Sequence, residues 1–203
     1  MAKYEMDERR GAKRLVDSSG NRRHGRVGSK VRTGFRAGKV VGHDFPSHFP
    51  KDEYVRGHVT TIEERNALDP GPKRYAVTIR YRTTDGFGNI IQKGQNGVAG
   101  GYWKLEAPDG RPICAFQDGA GVTQKVKSDV SLDDGRWHKV SCFRTTGRVE
   151  LWVDGGREAL QRKKAGAVNN RARLAIGGKA ACGDDVTCDY FFGEVDFVRI
   201  TKG

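Results

Sequence analysis

The side chains of this 203-residue chain that could carry chemistry are four cysteines, five histidines, three tryptophans and scattered carboxylates. Cys114, Cys142, Cys182 and Cys188 allow three pairings. No Cys-x-x-Cys pair occurs and the spacings do not suit zinc, so the even number favours two disulfides. Cys182 and Cys188 flank Gly183-Asp184-Asp185-Val186-Thr187, and a bond between them would close a short loop. His43 and His48 fall in or beside the Pro-rich stretch Asp44-Phe45-Pro46-Ser47-His48-Phe49-Pro50, while His24 and His58 stand alone among Arg and Gly. No two histidines form a ligand pair at metal spacing. There is no Gly-x-Ser-x-Gly nucleophile turn, no His-Glu-x-x-His and no glycine loop leading into a helix that could cradle phosphate. The expectation is therefore binding, not catalysis.

Short strands must position these groups. Asp134-Gly135, Thr146-Gly147 and Asp154-Gly155 punctuate two apolar, roughly alternating runs, because Asp and Gly tolerate the backbone of tight turns. Val149, Leu151 and Val153 share one face of a strand, and Glu150, Trp152 and Asp154 the other. Tyr75, Val77, Ile79 and Tyr81 alternate with Ala76, Thr78, Arg80 and Arg82 in the same way. The chain has 28 glycines and only 6 prolines, with no helical period and no internal repeat, which predicts an all-β sandwich. At 22.4 kDa it is one domain over 1–203, with a Pro/His-rich inserted loop at 43–53. No apolar run approaches the roughly 20 residues needed to span a bilayer as a helix. Sugar recognition needs an aromatic platform and a few directional polar groups. Trp152, opposite Leu151 and Val153, is the first candidate platform; Trp103 and Tyr102, with Asn89 and Gln92, come next.

The formal net charge is +12, and residues 1–40 carry twelve Lys or Arg against four acids. Such a field attracts polyanions: nucleic acid, acidic glycans, teichoic-type polymers or an acidic protein shell. Sequence-specific nucleic-acid reading is not expected, since no helix-turn-helix, zinc-finger or RNP-type motif is present.

The order Asp134-Gly135-x-Trp137-His138-x-Val140, followed by a strand ending in Val153-Asp154-Gly155, resembles the laminin G-like branch of the concanavalin A-like lectin/glucanase superfamily. Met6-Asp7-Glu8, Asp17-Ser18-Ser19-Gly20-Asn21, Leu68-Asp69-Pro70-Gly71, Gly88-Asn89-Ile90-Ile91-Gln92-Lys93-Gly94, Ile176-Gly177-Gly178-Lys179 and Gly193-Glu194-Val195-Asp196 extend the likeness to domains of actinobacterial type. Only Arg22–Glu53 lacks a counterpart. The resemblance implies a two-sheet antiparallel jelly roll with lectin-like sites on its loop rim or concave sheet, and that Cys114 and Cys142 bridge neighbouring strands. It also implies that Trp137 lies in the core and that His138 makes a structural hydrogen bond. Glucanases of the superfamily carry Glu-x-Asp-x-x-Glu on one strand. Here Glu194-Val195-Asp196 begins that pattern, but Arg199 stands in the third place and cannot act as acid and base near neutral pH. Related domains bind a structural calcium, for which Asp17, Asn21 and Asp196 are the candidate ligands, opposed by Arg22 and Arg23.

The expected function is a non-catalytic module recognising glycans or another polyanionic surface outside the cell. The alternative is a bacteriophage virion protein, a head decoration or tail component that docks on capsid or tail proteins. Disulfides point outside the cytosol. Because Met1-Ala2-Lys3-Tyr4 opens without an apolar signal core, the expectation is either a removed secretion signal or release within a virion.

Overall fold

The computed structural model describes residues 1–47, 54–63, 66–182 and 187–203. Its strands are β1 (Ala2–Tyr4), β2 (Arg14–Leu15), β3 (Gly25–Arg26), β4 (Arg32–Ala37), β5 (Val40–Phe45), β6 (Thr60–Ile62), β7 (Tyr75–Arg82) and β8 (Asn89–Lys93). They continue as β9 (Tyr102–Glu106), β10 (Ile113–Gln117), β11 (Thr123–Lys127), β12 (His138–Arg144), β13 (Val149–Val153), β14 (Gly156–Gln161), β15 (Leu174–Ile176) and β16 (Gly193–Lys202). One 3-10 turn, Asn66–Leu68, precedes β7.

The strands form two antiparallel sheets. Sheet A runs β14-β13-β12-β7-β16-β5-β4, with β1 also on β16, and sheet B runs β11-β10-β9-β8-β15-β6-β3-β2. Their inner faces meet in one core, as the alternation requires: Tyr75, Val77, Ile79 and Tyr81 from β7 are buried against the side chains of sheet B. The expected all-β sandwich is what the chain forms. Asp154 (φ 49°) and Gly155 (φ 91°) both take left-handed backbone, the geometry of a two-residue hairpin turn, and join β13 to β14.

Both expected disulfides form. Cys114 and Cys142 do not, however, link neighbouring strands of one sheet. β10 belongs to sheet B and β12 to sheet A, so this bond staples the two sheets through the core with Cα atoms 5.5 Å apart. Its 28-residue separation implies about 3–4 kcal/mol of chain-entropy stabilisation. The stretch expected as an inserted loop at 43–53 begins as the end of β5, and 48–53, His48 included, lie outside the described residues. His43 is fully buried, with Nε2 2.7 Å from Glu8 Oε2. Burial raises the Glu8 carboxyl, but hydrogen bonds from His43 and the Val16 amide outweigh it and leave the pKa below its ordinary value.

Candidate functional site

The two outer faces of the sandwich offer different chemistry. Register shows sheet B most plainly. Arg14 faces Arg26, Arg26 faces Thr61, and Thr61 faces Ala175. Ala175 faces Gln92, Gln92 faces Lys104, Lys104 faces Ala115, and Ala115 faces Lys125. The row crosses all eight strands. Each member alternates with a buried partner such as Leu15, Ile62, Leu174, Leu105 or Val126, so the row lies on the outer face. Four of its eight positions are cationic. Arg14, Arg26 and Lys125 are exposed; Lys104 is half-buried and paired with Glu106.

The middle of the row is a floor. Ala175, Gln92 and Ala115 are 0%, 3% and 2% exposed although they face outward. Gln92 lines two adjoining cavities. One, of about 330 Å³, is bounded by Gln95, Asn96, Tyr102, Lys104, Lys179 and Thr187. The other, of about 280 Å³, is bounded by Gln95, Val98, Arg173, Ala180 and Ala181. The Gln92 Oε1 atom is buried without a hydrogen-bond partner, a costly state for an amide oxygen and one that a ligand donor would relieve. Lys104 Nζ stands 5.6 Å from the centre of the Tyr102 ring. The Cys182–Cys188 bond lies beside these walls, joining the residue after Ala181 to the residue after Thr187. Lys179 holds that segment down, reaching Asp189 Oδ2 at 2.6 Å and Thr187 Oγ1 at 3.0 Å. Asn89 lies beneath it, fully buried, with Nδ2 donating to Asp189 Oδ2 at 3.2 Å.

Of the five predicted binding residues, Gln92 and Tyr102 thus share one cavity and Asn89 supports its wall. Trp103 does not belong with them. It is 0% exposed and packs against Tyr75 with ring centres 5.5 Å apart, because the period of two sends Trp103 and Leu105 inward and Tyr102 and Lys104 outward. Trp152 is on the opposite side of the molecule, on the outer face of sheet A. It is half-buried, edge-to-face with Phe143 at 6.2 Å, and its Nε1 donates to Glu150 Oε2 at 2.8 Å. Lys104, Lys179, Gln95 and Asn96 were missed, although the alternation along Tyr102-Trp103-Lys104-Leu105 was enough to find Lys104.

The outer face of sheet A carries closed charge pairs. Arg82 grips Glu194 through Nε and Nη2, both at 3.0 Å, and Arg80 reaches Asp196 at 2.9 Å. Arg32 stands 3.4 Å from Asp44. Trp137, expected in the core, is only partly buried; it spreads over the Arg80 and Arg82 guanidiniums at 5.2 and 5.4 Å. Both carboxylates of the glucanase-like run therefore lie under arginines. Burial pushes the Asp196 carboxyl above its ordinary pKa, with Arg80 pulling the other way. His138 makes the expected structural contacts, Nδ1 at 2.8 Å from Asp154 and Nε2 at 3.0 Å from Asp134.

Of the predicted calcium ligands, the two carboxylates hold hydrogen bonds and Asn21 is bonded through its amide nitrogen. Asp17 accepts the Lys3 and Ser19 amides on Oδ1 (both 3.0 Å) and the Arg23 amide on Oδ2 (2.9 Å). Asn21 Nδ2 donates to Met1 O and Ser19 Oγ, and Asp196 is paired with Arg80 on sheet A. Among the described residues, no three His, Cys, Asp or Glu side chains cluster as metal ligands would.

Comparison with known proteins places this geometry. The botulinum neurotoxin serotype G binding domain superposes with a TM-score of 0.70 at 15% identity, covering 98% of this chain and 47% of that one. The serotype D ligand-binding domain, solved in complex with N-acetylneuraminic acid, gives 0.67 at 15% identity over 100% of this chain and 46% of that one. Domains LG4-5 of the mouse laminin alpha1 chain give 0.55 at 19% identity over 78% and 45%. The chain thus spans less than half the length of these structures, and at such identities the likeness is one of fold. The Laminin G domain family model matches residues 81–202, more than half of the sequence, and the chain belongs to that family.

Proposed function

We infer that this laminin G domain is an extracellular binding module, that its working surface is the outer face of sheet B, and that its ligand is an anionic glycan chain. The observation that carries this reading is the register row from Arg14 to Lys125. With strands about 4.8 Å apart, the eight-strand row spans about 34 Å and carries four cations, two at one end and two towards the other, a shape suited to an extended anionic polymer. The cavities at its centre add directional recognition: the Gln92 amide, Gln95 and Asn96 can bond hydroxyls, and the Tyr102 ring supplies an apolar edge. The sialic acid bound by the serotype D domain is an anionic sugar, which accords with the reading, as do the two disulfides with an oxidising compartment. No particular contact favours the virion role, and it is not carried forward.

The test is binding to immobilised polygalacturonate, dextran sulfate and neutral dextran over a range of salt. The reading expects capture by the two anionic polymers, weakening steadily with salt, and none by neutral dextran. Salt-independent binding, or equal capture by neutral dextran, would refute it.

A further inference from the structure

A second polar cluster lies inside the sandwich. Lys93 at the end of β8 faces the core and is 0% exposed; Asp69 and Asn170 beside it are 2% and 4% exposed. Lys93 Nζ is 2.5 Å from Asp69 Oδ1, 2.8 Å from the Asn170 carbonyl oxygen and 3.1 Å from Asn170 Oδ1. Asn170 Oδ1 also accepts the Ala172 amide at 2.9 Å, so two donors polarise this carbonyl. Asn170 Nδ2 is held by the carbonyl oxygens of Gly101 at 2.9 Å and Lys93 at 3.3 Å. Gly94 makes this close approach possible: it takes φ 77°, and a Cβ there would sit 2.7 Å from Asn170 Nδ2. An amine thus touches the oxygen of a polarised carboxamide, with a carboxylate in contact with the amine and all three side chains buried.

We propose that Lys93 and Asn170 react to form an intramolecular isopeptide bond, with Asp69 as the proton carrier. Lys93 Nζ passes a proton to the Asp69 carboxylate, and its freed electron pair attacks Asn170 Cγ. The new C–N bond forms as the carbonyl electrons move onto Oδ1, where the Ala172 amide stabilises the developing charge. A second proton moves from Nζ to Nδ2, relayed by Asp69. The Cγ–Nδ2 bond breaks, the carbonyl re-forms, and ammonia leaves. Asp69 yields its remaining proton to the ammonia and is again a carboxylate. In sum, one ammonium and one carboxamide become one secondary amide and one ammonium ion; no oxidant, metal or cofactor takes part. Burial favours this over hydrolysis by keeping bulk water away from Cγ. The bond would join β8 to the segment leading into β15, its hydrogen-bonded neighbour, across a chain separation of 77 residues.

The test is mass spectrometry of the reduced, denatured wild-type chain, followed by trypsin mapping. The proposal expects a mass lower than the sequence mass by one ammonia, and a branched peptide carrying the chain around Asn170 on an uncleaved Lys93. The branched peptide decides the matter, because an asparagine that cyclises onto its own backbone loses the same mass. A chain of full sequence mass that trypsin cuts after Lys93 would overturn the proposal and leave a buried ion pair. Asp69→Asn should keep the ammonia and yield no branched peptide; a branched peptide in that variant would remove Asp69 from the chemistry. If Asp69→Asn fails to fold, the wild-type map still decides.

Discussion

The outer faces of the two sheets are built by the same alternation but differ in how many of their charges are paired. On sheet A three long cations meet carboxylates: Arg82 with Glu194 and Arg32 with Asp44 in register, and Arg80 with Asp196 at a bulge, with Trp137 laid over two of the guanidiniums. Those pairs are self-satisfied, although Lys139 and Arg199 on the same face are exposed. On sheet B, Arg14, Arg26 and Lys125 are exposed without such partners across the row, and Gln92 at its centre keeps a buried amide oxygen unbonded. Polar groups that neutralise one another contribute to stability; polar groups left open are available to a ligand. Aromatic residues follow the same division. Trp152 hydrogen-bonds its own sheet through Glu150, whereas the ring of Tyr102 borders a cavity.

The comparison can be broken most severely by reversing the open charges. Arg14→Glu, Arg26→Glu and Lys125→Glu together should lower affinity for dextran sulfate at low salt by at least about 100-fold, at about 1 kcal/mol or more per reversed charge. The melting temperature should hardly move, since the three positions are exposed. Biolayer interferometry and a thermal melt read the two effects separately. Next in size, Gln92→Ala should weaken glycan binding about tenfold, the value of roughly one hydrogen bond, and leave stability nearly unchanged because the orphaned oxygen goes with the side chain. Arg80→Ala on sheet A should do the opposite. It leaves a half-buried Asp196 without its cation and costs about 1 kcal/mol in urea unfolding, a figure already discounted for the exposure of Arg80, while binding stays the same.

The smallest effect is one of pH. Burial lowers the His138 pKa, but its bonds to Asp154 and Asp134 outweigh this and leave it raised. The stability it contributes is therefore fully present below the unfolded value of about 6.5 and is lost as pH rises through the higher folded value. Asp134 and Asp154 are depressed: Asp134 by the Arg136 amide and then His138, Asp154 against its burial by the Lys139 amide and His138. Their contribution is present above about 3.9 and is lost as pH falls through the lower folded values. The melting temperature should thus decline slightly between pH 6 and 8.5, and His138→Gln should flatten that slope.

The two-sheet fold was legible because period-two burial and Asp-Gly turns are local signals: β7 and the β12–β13–β14 hairpins follow the pattern of apolar residues directly. What the local signals could not supply was register between distant strands. Nothing in the neighbourhood of Arg14 announces that it stands in line with Lys125, and the pairing of Glu194 with Arg82 spans 112 residues. Cys114 and Cys142 misled for the same reason, since two strands close in the fold need not share a sheet. Trp103 and Trp137 are a different matter. The alternation in Tyr102-Trp103-Lys104 already sent Trp103 inward, and Trp137 precedes its strand, where the two arginines of β7 pull it onto the surface.

The most direct measurement of the central claim is lysine acetylation footprinting with and without dextran sulfate, read by peptide mass spectrometry. The account predicts that the anionic polymer protects Lys104, Lys125 and Lys179 on sheet B and leaves Lys139 on sheet A as reactive as in the free protein. Protection of Lys139 with Lys104 and Lys125 unchanged would place the ligand on the outer face of sheet A, and would contradict it.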